Sequence, residues 1–171
     1  EVSAVPIDYR GQPGALVFVR DMTERQRAEQ ALRESERRLS VLMANLPGMA
    51  YRCRNLPGWP MQFVSEGCLD LTGYTAQELT GNTLFYGELI LPEDRALVEE
   101  AVHEGLRQGS AYQMSYRLRR RDGSIRYVWE QGRLATPADE PEQWLEGFIT
   151  DVTEQQQARQ VAVDEGSGGW H

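Results

Sequence analysis

Phe148-Ile149-Thr150-Asp151-Val152-Thr153-Glu154-Gln155-Gln156-Gln157-Ala158 echoes Phe18-Val19-Arg20-Asp21-Met22-Thr23-Glu24-Arg25-Gln26-Arg27-Ala28 at an offset of 130 positions. Both copies read as an apolar strand that stops at Asp and turns into a helix whose first turn holds Thr-x-x-Gln, the capping-box pattern that satisfies orphan backbone donors. The chain therefore holds two units that end in the same way. Few residues precede the first copy. They read as two short strands, Val2 to Asp8 and Ala15 to Arg20, around the turn Arg10-Gly11-Gln12-Pro13-Gly14. Residues 1–20 are accordingly expected to be the last two strands of a preceding domain.

Working outward from the first copy, residues 21–46 form a connecting helix. Ala28, Leu32, Ser35, Leu39, Leu42 and Leu46 are spaced by alternating fours and threes, which is an a/d seam. The seam calls for a partner helix, and Ala28, Leu32, Leu39 and Leu42 are its expected contacts; an amphipathic helix lying on its own domain would show a similar stripe. Glu29 with Arg33 and Glu34 with Arg38 are expected to pair along the other faces. Leu46-Pro47-Gly48 ends the helix. Met49 to Arg54 and Met61 to Ser65 then read as strands, followed by short helical pieces punctuated by glycine and a firmer helix from Pro92 to Gln108. Tyr112, Met114, Tyr116 and Leu118 alternate with polar residues, Asp122-Gly123 makes a hairpin turn, and Ile125 to Thr136 and Trp144 to Val152 complete the strands. The order ββ, helices, βββ is α+β.

Composition narrows the chemistry. The chain has 171 residues, enough for one ordinary domain and a remainder, and 40% of them are apolar. All 18 basic residues are Arg, so no reaction that needs a lysine can run here. Two histidines, His103 and His171, and two cysteines, Cys53 and Cys68, are too few for a zinc cluster, and no metal site is expected. A net charge of −8 argues against nucleic acid as a partner, because phosphate contacts need a basic field. No apolar run approaches the ~20 residues of a membrane span, and the two cysteines are read as reduced thiols of a cytoplasmic domain.

Tyr51-Arg52-Cys53-Arg54-Asn55, Phe63-Val64-Ser65-Glu66-Gly67-Cys68, Leu71-Thr72-Gly73-Tyr74, Glu78-Leu79-Thr80-Gly81, Pro92-Glu93-Asp94-Arg95, Arg121-Asp122-Gly123, Trp129-Glu130 and Gly147-Phe148-Ile149-Thr150-Asp151-Val152-Thr153-Glu154 together resemble a PAS domain with its C-terminal PAC motif, of the bacterial sensory-box type. The match covers residues 47–153, with residues 154–165 as the start of an outgoing helix and residues 166–171 as a flexible tail. The resemblance implies a PAS fold: a five-stranded antiparallel sheet with helices on one face, here preceded by the amphipathic or coiled-coil helix. It also implies a sensory and dimerisation module of a multidomain bacterial signalling protein, a diguanylate cyclase or sensor histidine kinase. Such a module is regulatory and has no catalytic residues of its own. Its partners would be a second copy of the chain, neighbouring PAS and effector domains, and a small organic ligand held between sheet and helices; a ligand-free structural relay is the alternative.

Phe63, Leu84, Phe85, Val98, Val102, Tyr112, Met114 and Tyr116 are the expected lining of that ligand space, although the same residues would also serve as plain core. PAS domains that form a covalent flavin adduct carry Cys after Gly-x-Asn; the corresponding segment here, Gly81-Asn82-Thr83-Leu84, has Leu84 at that position, which disfavours covalent flavin. A haem would need an axial histidine, and His103 falls opposite the helix face of Val98, Ala101, Val102 and Leu106. Haem is therefore disfavoured and the cofactor is left unassigned. Arg117, Arg119, Arg120, Arg121, Arg126 and Arg133 gather around the Asp122-Gly123 turn and read as a solvated, edge-protecting cluster. Asp21, Thr23, Asp151 and Thr153 are the expected signal relay, since the carboxylates can accept from backbone N–H groups at a helix start.

Overall fold

Arg10 and Gly11 both adopt positive φ, 55° and 78°, the combination of a two-residue type I′ turn whose twist matches that of paired strands. The expected five-residue turn is therefore only two residues long, and β1 (Val2–Tyr9) and β2 (Gln12–Val19) pair antiparallel along their whole length. The structure, a computed structural model, describes residues 2–19, 21–136 and 139–167, so Arg20 lies outside the described residues. α1 (Thr23–Asn45) follows as a continuous helix with no buried residue. Leu32, Leu39 and Leu42 of the seam are each more than half exposed. The expected pairs Glu29–Arg33 and Glu34–Arg38 are absent; Arg25, one turn earlier, takes Glu29 at 3.1 Å. The hairpin with most of α1 forms one compact unit, Glu1–Leu42, and Met43–His171 forms a second.

The second unit is built on a five-stranded antiparallel sheet in the order β4-β3-β7-β6-β5, from β3 (Met49–Arg54), β4 (Met61–Val64), β5 (Tyr112–Arg119), β6 (Ile125–Leu134) and β7 (Trp144–Asp151). Between β4 and β5 lie α2 (Cys68–Thr72), α3 (Ala76–Thr80), α4 (Tyr86–Leu89) and α5 (Pro92–Gln108). Period-two alternation selects the inward face: Tyr112, Met114, Tyr116 and Leu118 of β5 are buried while Gln113, Ser115 and Arg119 are exposed. α5 starts at Pro92, ends at Gly109 in the left-handed conformation, and buries Val98, Val102 and Gly105. Its first turn is anchored to β5, where the Arg117 guanidinium donates to both Asp94 carboxylate oxygens at 2.7 and 2.9 Å. His103 faces away from the core and is exposed.

The order of strands makes the incoming and outgoing strands neighbours. Met49 of β3 pairs with Ile149 of β7, and Thr150 donates its hydroxyl hydrogen to the Pro47 carbonyl. Gly48, at φ 147°, leaves no alternative residue, because a Cβ there would lie 2.3 Å from the Ile149 carbonyl oxygen. α6 (Thr153–Ser167) continues from β7, so the helix includes Gly166 and Ser167 of the expected tail, and residues 168–171 lie outside the described residues.

Candidate functional site

β6 places Val128, Glu130 and Gly132 on the inward register, and Glu130 is 6% exposed in the middle of the apolar core. Its carboxylate is held by tyrosines from β5, the strand beside it, and from β3, which lies across β7. Tyr51 of β3 donates to Oε1 at 2.5 Å, and Tyr116 of β5 donates to Oε2 at 2.6 Å. Each of these hydroxyls meets a further tyrosine: Tyr112 lies 2.7 Å from Tyr51, and Tyr86 of α4 lies 2.8 Å from Tyr116. Four of the seven tyrosines of the chain thus form two arms that meet at one carboxylate.

Two glycines make room for these hydroxyls. A Cβ on Gly132 would stand 2.4 Å from the Tyr112 oxygen, and one on Gly147 of β7 would stand 2.7 Å from the Tyr51 oxygen. Burial pushes the Glu130 carboxyl above its usual range, while the hydrogen bonds from Tyr116 and Tyr51 pull it back. Burial also raises all four tyrosine hydroxyls, with the Glu130 charge adding to it. Cys53 and Cys68 are free and buried, and burial pushes both thiols up, away from the reactive thiolate. Among the described residues no group of three or more His, Cys, Asp and Glu is placed to hold a metal ion.

The space beside Glu130 is a cavity of about 10 Å³, room for about one water molecule. Of the residues expected to line a ligand space, Val98, Val102 and Tyr112 border it. Met114 and Tyr116 are buried in the surrounding core, and Leu84 packs half-buried against it. Two expectations fail. Phe63 is 48% exposed, because the pairing of β4 sets it opposite Arg52 on the outer face of the sheet while Met61 and Val64 turn inward. Phe85 is half-buried and lines an outer groove with Pro60, Asn82 and Trp144. The central residues Glu130, Tyr51 and Tyr86 were not among the expected site residues. The sequence did carry a signal for Glu130, a charged side chain in step with Val128 on an inward-facing register.

The second feature lies where β7 becomes α6. The Asp151 carboxylate accepts the Thr153 backbone N–H at 2.9 Å and the Thr153 hydroxyl at 2.5 Å. Thr153 is buried, and its hydroxyl oxygen accepts the Tyr127 N–H of β6 at 3.0 Å. The expected capping box is therefore absent: Gln156 donates its N–H to the Val152 carbonyl, Thr153 is the first helical residue, and the aspartate does the capping. Asp21 and Thr23 repeat the local bonds, with the Thr23 N–H at 2.9 Å and its hydroxyl also donated to the carboxylate. Thr23 is exposed. The arginine cluster is largely absorbed in ion pairs, Arg117 with Asp94, Arg121 with Glu78, Arg120 with Asp122 and Arg126 with Asp151.

Comparison with known proteins agrees with this architecture. The profile of the PAS fold family matches residues 62–149. The chain is 26% identical over 141 residues to the methyl sulfide methyltransferase-associated sensor of Methanosarcina acetivorans, covering 82% of this chain and 14% of that protein. A second curated relative, from Sinorhizobium fredii, is 27% identical over 142 residues, 83% of this chain and 17% of the relative. The chain thus spans a seventh to a sixth of the length of these relatives. Among solved structures, it is similar to a sensory box histidine kinase/response regulator from Burkholderia thailandensis, with TM-score 0.60 and 22% identity over 77% of this chain and 96% of that one. It is also similar to the N-terminal domain of a diguanylate cyclase with PAS/PAC sensor from Marinobacter aquaeolei, with TM-score 0.52 and 14% identity over 64% and 98%.

Proposed function

This chain belongs to the PAS fold family, and we propose that it acts as a sensory and dimerisation module that passes a packing change in its core to a C-terminal effector of the histidine kinase or diguanylate cyclase kind. The observation that carries this reading is the junction at Thr153. The first residue of the outgoing helix is buried and bonded to the backbone of the strand beside β7, so a shift of β6 against β7 moves the start of α6 with it. The adjacency of β3 and β7 supports the same reading, because helices α1 and α6 attach to neighbouring strands. A cavity of about 10 Å³ favours packing over an organic ligand as the signal.

The seam of α1 supports a homodimer in which Ala28, Leu32, Leu39 and Leu42 meet their copies. The hairpin β1–β2 supports a preceding domain of the same fold. Val19 pairs with Val2 and Val17 with Ala4, as Ile149 pairs with Glu130 and Gly147 with Gly132, and both faces of the hairpin carry exposed apolar side chains. The two buried free cysteines fit a reducing cytoplasm. Among the described residues no helix is long and apolar enough to cross a membrane.

Helical phase tests the relay. In the longer protein that contains this module, four residues inserted after Gln157 rotate the downstream helix by roughly 40°, whereas seven nearly restore its phase. Regulated activity of the effector should survive the seven-residue insertion and be locked on or off by the four-residue one. If both insertions behave alike, the relay reading fails.

A further inference from the structure

We propose that the core site of this domain takes a proton: Glu130 and its two tyrosine arms form a buried proton-binding site whose occupancy sets the direction of the hydrogen-bond chains and is felt at the start of α6. Each tyrosine has one hydroxyl hydrogen. With Glu130 ionised its two oxygens can only accept, so Tyr51 and Tyr116 direct their hydrogens to them and Tyr112 and Tyr86 direct theirs inward to Tyr51 and Tyr116. All four hydrogens point toward one carboxylate, an arrangement that suits the ionised form.

A proton arriving from solvent converts the carboxylate to a neutral carboxyl with a hydrogen of its own. Both oxygens already face tyrosine oxygens, so the new hydrogen is accommodated by reversing one arm. Both tyrosines of the arm through Tyr51 and Tyr112 line the cavity, whereas of the other arm Tyr86 lines it and Tyr116 does not; the outermost hydroxyl of the first arm can turn its hydrogen into a space the size of one water. The same small volume excludes an organic ligand, whereas a proton is taken up without displacing core side chains.

Among the described residues no internal counterion faces the charge of Glu130. β3 presents Tyr51 and Cys53 to it, α4 presents Tyr86, and β5 presents Tyr112 and Tyr116; α5 and β7 present Val98, Val102, Leu145 and Ile149. Among the described residues no basic side chain and no second carboxylate lines the cavity. A buried carboxylate without a cation is costly, and taking up a proton relieves that cost. Because burial raises the Glu130 carboxyl in the folded chain, this group stabilises the fold fully below the ordinary glutamate value of 4.5, and that contribution is lost as pH rises through the raised folded value. Two steps connect the site to the outgoing helix. Glu130 pairs with Ile149 of β7, and on the same two strands Val128 pairs with Asp151, beside the Tyr127 N–H that holds Thr153. This last link rests on the relay reading above; the proton site does not.

The test is a pH titration of the 171-residue chain carrying 13C-carboxyl-labelled glutamate and 15N amides, followed by NMR. One glutamate carboxyl should titrate above all the others, its resonance should be missing in Glu130→Gln, and the Thr153 amide should shift with the same midpoint. Tyr51→Phe, which removes one hydrogen bond to the charged form, should raise that midpoint further while leaving the fold intact. In Glu130→Gln the Thr153 shift should vanish and stability should no longer fall over the same pH range. A Glu130 carboxyl that titrates with the rest, or stays ionised throughout, overturns the proton site. A high midpoint with a static Thr153 amide overturns the link to α6. The insertion experiment decides the relay separately, because it reads effector output.

Discussion

Asp21 with Thr23 and Asp151 with Thr153 make the same local bonds, yet one pair stands in solvent and the other is part of the core. At both sites the carboxylate accepts the threonine N–H at 2.9 Å and the threonine hydroxyl, and at both a helix starts on the threonine. Only Thr153 is buried, and only it receives a bond from a neighbouring strand. The preceding hairpins differ in the same sense. β1 and β2 are exposed along their whole length, while β6 and β7 lie inside a sheet and carry Glu130 and Ile149 against the helices. The local motif therefore specifies how a strand becomes a helix. What the junction can transmit is decided by the layer packed behind it.

This comparison can be broken most forcefully at the glycines. Gly132→Val would place side-chain atoms in the space of the Tyr112 hydroxyl and should cost on the order of 1–3 kcal/mol by overpacking, with the tyrosine network disrupted. Gly14→Ala in β2 meets only Ile7 at 3.7 Å and should change stability by less than about 0.5 kcal/mol. Chemical denaturation of the two variants measures the contrast, and equal losses would show that the two hairpins are equally packed.

The junctions offer a finer test. Thr153→Val removes the acceptor of the Tyr127 N–H and should cost about 1–2 kcal/mol. Thr23→Val removes only an exposed hydroxyl and should cost about 0.5 kcal/mol or less. Similar values from thermal unfolding would mean that Thr153 is a plain helix start.

The smallest effect on stability is expected in α1. Leu32→Glu with Leu39→Glu replaces exposed side chains and should leave the melting curve of the folded domain almost unchanged, while sedimentation should show the mass falling from dimer to monomer. A dimeric parent whose mass survives the double substitution would remove the seam from the account of dimerisation.

Much of the chain was legible before the structure because it rests on local physics. The limits of α1, β3, α5 and β5 follow from periodicity and from punctuation by Pro47-Gly48, Pro92 and Gly109. The outward direction of His103 follows from 100° per residue on α5. The two-residue turn at Arg10-Gly11 is not legible because a non-glycine residue at positive φ has no clear local signature, and Thr-x-x-Gln does not distinguish a capping box from a helix that starts on the threonine itself.

The order of elements, the two aspartate-to-threonine junctions and the exclusion of lysine chemistry are readable from the residues alone, since each depends on residues a few positions apart or on composition. The tertiary structure decided which groups meet. Tyr51, Tyr86, Tyr112 and Tyr116 reach Glu130 from three elements, with Tyr51 lying 79 positions away in the chain. No local pattern encodes that convergence. It follows from the strand order β4-β3-β7-β6-β5, which sets β6 between β7 and β5 and brings β3 within reach across β7. The same packing closes the interior to about 10 Å³ and turns Phe63 outward, because volume and register depend on every element at once.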